Sequence, residues 1–195
     1  EQVGYANSAV GTHAGLWTGS AASWLDLHAF LPGTFTTSFA YGIWHAADGT
    51  TYVVGEATQS GVIKAVMWVK APPVWTDLGF ALPGAGGEPA LVGTGTLATG
   101  SAGSLTLSNA APSAFSLLFT ALAGNPTAFK GGMLVPVPAV LTIPFTTSAG
   151  GGVAIAWPSW PGGLSGQSLH FQYGIQDAGG PQGVALSNAL RGNVP

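Results

Sequence analysis

The chain has 195 residues, no cysteine, and only four Lys or Arg against seven Asp or Glu, so charged residues make up 6%, where an ordinary soluble domain has roughly 25%. Hydrophobic residues reach 47%, mean hydropathy is +0.40, and Gly and Pro contribute 31 and 14 residues. This excludes a conventional disordered chain, which needs low hydrophobicity and high charge, and a disulfide scaffold. It also excludes a phosphate-neutralising nucleic-acid binder, because Lys64, Lys70, Lys130 and Arg191 form no basic face.

Short aromatic and aliphatic runs, punctuated by turn residues, predict strands over 2–6, 14–18, 23–27 and 38–45. Asp48-Gly49 predicts a tight turn into a strand over 51–57, followed by strands over 63–69 and 74–78. Gly84 to Pro89 has the composition of a loop and marks a domain boundary, giving domains of 1–88 and 89–195. Beyond it, strands are predicted over 93–99, 104–109, 115–121, 133–138, 140–146, 152–157, 168–176 and 184–190. In the run 169–176, Leu169, Phe171, Tyr173 and Ile175 alternate with His170, Gln172, Gly174 and Gln176, the pattern of a half-buried strand. No segment sustains a helical apolar period, and no apolar run reaches the 18 residues of a membrane span. The expected class is all-β: propeller-blade-like repeat sheets, then a β-sandwich or jelly-roll-like domain.

The first half repeats with an offset of 51. Val3-Gly4-x-Ala6 recurs as Val54-Gly55-x-Ala57, Trp17 as Trp68, Trp24 as Trp75, Asp26-Leu27 as Asp77-Leu78, and Leu31-Pro32-Gly33 as Leu82-Pro83-Gly84. Residues 3–33 and 54–84 match at 11 of 31 positions without a gap, where chance gives about two. The spaced Trp, the Trp-x-Asp-Leu and the Val-Gly-x-Ala resemble the HAF-type extracellular repeats of bacterial surface proteins over about residues 1–84. The stretches Phe129 to Pro138, Ser168 to Gly180 and Val184 to Gly192 are similar to a carboxy-terminal β-sandwich module of secreted planctomycete-like and myxobacterial proteins. These resemblances imply an extracellular location and β-sheet blades, and no catalytic residues.

A propeller needs at least four blades to close, so fewer than two copies leave open strand edges. An open edge pairs with another chain by strand addition, and a heterologous pairing that does not close gives a filament. The expected function is therefore an extracellular structural protein, a subunit of a self-assembling bacterial surface filament or matrix fibre. Its partner is itself. The first strand, Gln2, Val3, Gly4, Tyr5 and Ala6, is the expected exchanged element because it is terminal. The alternative is a monomeric secreted carbohydrate-binding or adhesion module. On that reading the loop from Trp157 to Gly163 offers Trp157 and Trp160 to surface polysaccharide; a loop folded back over the core edge is the plainer expectation. The start at Glu1 reads as a processed product whose export signal has been removed.

The chemistry-bearing residues suggest no enzyme, metal or cofactor. His13, His28, His45 and His170 show no metal-ligand spacing. Asp26 and His28 would share a strand face, where Asp26 could orient the imidazole. The repeat mate Asp77 favours a turn-holding role, since His28 aligns with Gly79. The glycines at 93, 95 and 100 lack the Lys-Ser/Thr of a phosphate loop, and Asp177 is the only acid after residue 90, too few for paired-carboxylate hydrolysis.

Overall fold

The computed structural model describes residues 1–8, 11–47 and 49–195; the turn expected at Asp48 lies outside the described residues. The chain is all-β, its helical content among the described residues being short 3-10 turns, and divides into two compact units, Glu1–Pro72 and Pro73–Pro195. No helix among the described residues is long and apolar enough to cross a membrane.

The first unit holds β1 (Gln2–Ser8), β2 (Gly11–Trp17), β3 (Leu25–Asp26), β4 (Phe35–His45), β5 (Thr51–Gln59) and β6 (Val62–Lys70). They form two antiparallel sheets, β1-β2-β3 and β4-β5-β6. The 51-residue repeat is visible in the pairing itself. β1 and β2 pair Gln2 with Trp17 and Ala6 with His13. β5 and β6 pair Val53 with Trp68 and Ala57 with Lys64, which is the same register moved on by 51. Directly opposed residues in an antiparallel pair share a face, so equivalent positions in the two hairpins point the same way.

The two sheets pack through opposite faces. The first sheet buries Val3, Ala14 and Leu16; the second buries Val53, Val66 and Trp68 against them, with Leu27 and Ala40 completing the core. Val3 and Leu16 are a directly paired couple, and so are Val53 and Trp68. The repeat equivalents of Val3 and Leu16 are Val54 and Met67, on the far side of the second sheet. Two hydrogen bonds tie the sheets together: the buried Trp68 indole N–H donates to the Leu27 carbonyl at 2.8 Å, and the Ala14 N–H donates to Ser38 Oγ at 3.0 Å.

The two copies diverge at their third strand. In the first, β3 pairs with β2, and a Cβ on Gly15 would fall inside the Trp24 ring. Glycine is therefore required where that indole lies against the sheet. In the second copy the equivalent of Gly15 is Val66, so no such seat exists. The equivalent of β3, β7 (Trp75–Gly79), belongs to the second unit, where the Trp75 indole lies over Gly93 and Gly192. The shared Asp keeps its role in both places. Asp26 Oδ1 accepts from the His28 N–H at 2.9 Å, and Asp77 Oδ1 accepts from the Gly79 N–H at 2.8 Å. This is the turn-holding use of aspartate expected from the repeat.

The second unit continues with β8 (Ala90–Gly95), β9 (Gly103–Ser108), β10 (Phe115–Ala121), β11 (Gly124–Phe129), β12 (Gly132–Pro136), β13 (Leu141–Thr146), β14 (Val153–Trp157), β15 (Ser168–Gln176), β16 (Val184–Leu186) and β17 (Ala189–Asn193). One sheet runs β13-β10-β15-β17-β7, with β16 also on β15; another runs β14-β9-β8; β11 and β12 form a hairpin. Leu91, Leu105 and Leu107 of the three-stranded sheet share a core with Leu118, Phe171, Tyr173, Ile175 and Leu190 of the larger one. The unit boundary thus falls at 72/73, not at 88/89. β7 pairs with β17, and the Gly84 to Pro89 loop is held inside the second unit, where the Ala85 N–H donates to Asp177 Oδ2 at 3.0 Å.

β15 is also buried more completely than alternation predicts. Its inward face is in the core as expected, but His170 and Gln172 are buried as well. Gln172 Oε1 accepts from the Val135 N–H at 2.9 Å, and its amide nitrogen donates to the Ser187, Met133 and Phe80 carbonyls at 3.0, 3.1 and 3.3 Å. These partners satisfy the polar side chain without water.

Candidate interaction surface

The first strand is not loose. β1 pairs with β2 along its whole length, and Glu1 just before it makes an ion pair with Lys70, 2.9 Å from Nζ, at the end of β6. Lys70 holds the Glu1 carboxyl below its ordinary value, chiefly by hydrogen bonding. The opposite edge of β1, running through Gln2, Val3, Gly4, Tyr5 and Ala6, carries no strand among the described residues. Its equivalent, the same edge of β5, is covered by β4 from Phe35 to His45. The outer edge of β6 is bare too, whereas its equivalent on β2 is covered by β3. These are the edges at which each copy lacks a strand that its sister has. Beside β6 runs an apolar groove of about 350 Å³ lined by Leu25, Leu27, Phe30, Met67, Trp68 and Val69.

The outward face of the β4-β5-β6 sheet is also apolar. Trp44 is 62% exposed, Met67 60%, Val69 54% and Val54 49%. Trp44 stacks on Tyr52 with ring centroids 5.3 Å apart. Tyr41 is exposed as well, and its hydroxyl lies against Glu56, whose hydrogen bond raises the Tyr41 value above the ordinary phenol range. Among the described residues of this sheet, Glu56 is the charged side chain on that face; Lys64 and Lys70 lie on the opposite one, with Val66 and Trp68.

The Trp157–Trp160 loop folds back over its own unit. Both rings are half-buried and packed against the core, 5.0 Å apart in an edge-on pair, and Trp75 lies 6.5 Å from Trp157. Both indole nitrogens are buried without a hydrogen-bond partner among the described residues. The loop is anchored where the Trp160 N–H donates to the Ser101 carbonyl at 2.8 Å.

The histidines gather differently from the expected Asp26–His28 pair. Asp26 Oδ2 lies 2.8 Å from His13 Nδ1, and His28 Nδ1 lies 2.9 Å from Ser38 Oγ. The His13 and His28 rings stack at 4.1 Å. Ser38 is fully buried and its Oγ is occupied by the Ala14 N–H, so the group braces two sheets and offers no accessible nucleophile. Burial lowers the His28 pKa; the neighbouring His13 adds to this, while Asp26 opposes it. His13 aligns with Lys64 in the other copy, so the repeat contained no signal for this cluster. No group of three or more His, Asp or Glu among the described residues is arranged to hold a metal ion.

No protein-family model, curated protein or solved structure matches the chain.

Proposed function

We propose that this protein is an extracellular structural protein, a subunit of a self-assembling bacterial surface filament or matrix fibre held by strand pairing between subunits, with no catalytic role. The observation that carries this reading is the bare edge of β1. The molecule contains the same hairpin twice in the same register, once with a strand on that edge and once without. An unpaired row of backbone N–H and C=O groups is a template for another chain. Soluble monomers blunt such edges with charge or proline, and Gln2 to Ser8 contains neither. A strand supplied by a neighbour makes the contact heterologous, and repetition of such a contact without closure builds a fibre.

The test is negative-stain microscopy with size-exclusion chromatography of the chain across a wide concentration range. The reading expects concentration-dependent polymers that disappear when residues 1–7 are deleted. A particle that stays monomeric at every concentration, or polymers indifferent to the deletion, would overturn it.

A further inference from the structure

We infer that the outward face of the β4-β5-β6 sheet is a docking site for a second copy of this chain, which seats on it the outer face of its β1-β2-β3 sheet. The inference rests on the self-association proposed above and adds the surface and the orientation through which it occurs.

The molecule supplies the template for this contact. The inner face of the first sheet presents Val3, Ala14 and Leu16, and these are covered by the second sheet; Ala14 and Leu16 are 0% and 2% exposed. The equivalent face of the second sheet presents Val54, Ala65 and Met67, two of them identical and the third a like-sized apolar residue, yet Val54 and Met67 are 49% and 60% exposed. One surface is thus written twice and covered once.

The complementary surface recurs in part, with Val53 replaced by Gln2 in the other copy. The second sheet covers the first through Val53, Val66 and Trp68, and Gly55 and Ala57 lie on the same face, with Ala57 and Trp68 only 1% and 8% exposed. Three of these have identical mates on the outer face of the first sheet: Gly4, Ala6 and Trp17. Val66 corresponds to Gly15, and there Trp24 lies over the glycine and against Trp17 at 4.7 Å, supplying apolar volume where the second sheet uses valine. This face carries a shallow depression lined by Ala6, Trp17, Ala21 and Trp24, with the polar Asn7, His13 and Asp26 also at its wall.

A copy that brings the second face to the first therefore repeats between molecules a packing that already exists within one. The two faces are different and lie on opposite sides of the unit. The contact is head-to-tail, and each added copy presents the same free face again. A self-complementary dimer would need one face to meet itself, and nothing in the template provides that.

The test uses two variants of the full chain, each spoiling one face: Met67→Arg on the docking face, and Ala21→Arg, off the β1 edge, on the face that it receives. Circular dichroism and thermal melts check that each is folded; Val54→Lys is the second variant for the docking face. Analytical ultracentrifugation then reads assembly. Each variant alone is expected to remain monomeric at concentrations where the unaltered chain polymerises. An equal mixture of the two is expected to give a species of two subunits and nothing larger, because only one good face remains on each. Polymers unchanged in the variants would overturn the face-to-face contact while leaving strand pairing standing. A mixture that stays monomeric would overturn its head-to-tail orientation. An unaltered chain that never assembles would remove both, and the face would belong to a different occupant.

Discussion

Gly15→Ala is the sharpest probe of how the first unit is built. The added Cβ would lie among the Trp24 ring atoms, far inside the 3.0 Å that real Cβ contacts respect. Neither atom can yield locally, because Gly15 is paired to Asp26 across β2 and β3. The indole must leave its seat, losing its contact with Trp17 and loosening the β3 turn. Complete truncation of a buried aromatic costs about 3–5 kcal/mol. Trp24 is half-buried and retains some contact after moving, so a cost of about 2 kcal/mol is expected. In a domain of this size each kcal/mol shifts the melting temperature by about 4–8 °C, so the first unit should melt about 8–16 °C lower. Differential scanning calorimetry reads this, and tryptophan emission should shift to the red as the ring becomes wetter. The same change at Gly33, which has open space around its Cβ position, is the control. A melting temperature for Gly15→Ala within about 2 °C of the unaltered chain would refute the claim that glycine is the seat of the repeat tryptophan.

Two further outcomes follow from the site geometry. Gln172→Leu removes four hydrogen bonds from a fully buried site and orphans the Val135 N–H and three carbonyls. At about 1–3 kcal/mol for each buried group left unpaired, partly relieved by relaxation, the second unit should lose at least about 3 kcal/mol in urea unfolding. Acidification should also destabilise the chain. Burial lowers both His28 and His170, aided by His13 and Arg191 respectively, so the folded state resists protons that the unfolded state accepts near the ordinary value of 6.5. Stability should therefore be greatest above that value and fall as pH drops through it. His28→Gln should flatten the part of the fall that belongs to the first unit, as followed by melts between pH 8 and 5.

Much of this fold was legible because its strongest signals are local or repeated. The strands predicted over 115–121 and 168–176 are present residue for residue as β10 and β15. The 51-residue offset became a shared hairpin register, and the aspartate common to both copies holds the same turn in each. What escaped depends on partners far along the chain. β7 looks like the third strand of its own repeat, and only its pairing with β17, more than a hundred residues later, assigns it to the second unit. The clue was one residue, Val66 in place of Gly15, and its meaning is visible only once an indole is seen lying on the glycine. β11 was not anticipated because Gly124 to Phe129 contains a proline and exposed polar residues. Without that hairpin in view, the buried side of β15 reads as a solvent face. The His13–Asp26 contact escaped because β2–β3 pairing brings together residues that no spacing rule connects. The bare edge of β1 was legible from the truncated repeat, while the exposed sheet face needed the register and the burial together.

The central claim is that the unpaired edge of β1 is completed by another molecule. Hydrogen exchange compared between assembled and dissociated chain tests it most directly. Amides within Gln2–Ser8 are expected to gain protection on assembly, while those of Gly15 and Leu16 in β2, already flanked by both β1 and β3, change little. Assembled material in which the amides of β1 exchange as fast as in the free chain would contradict it.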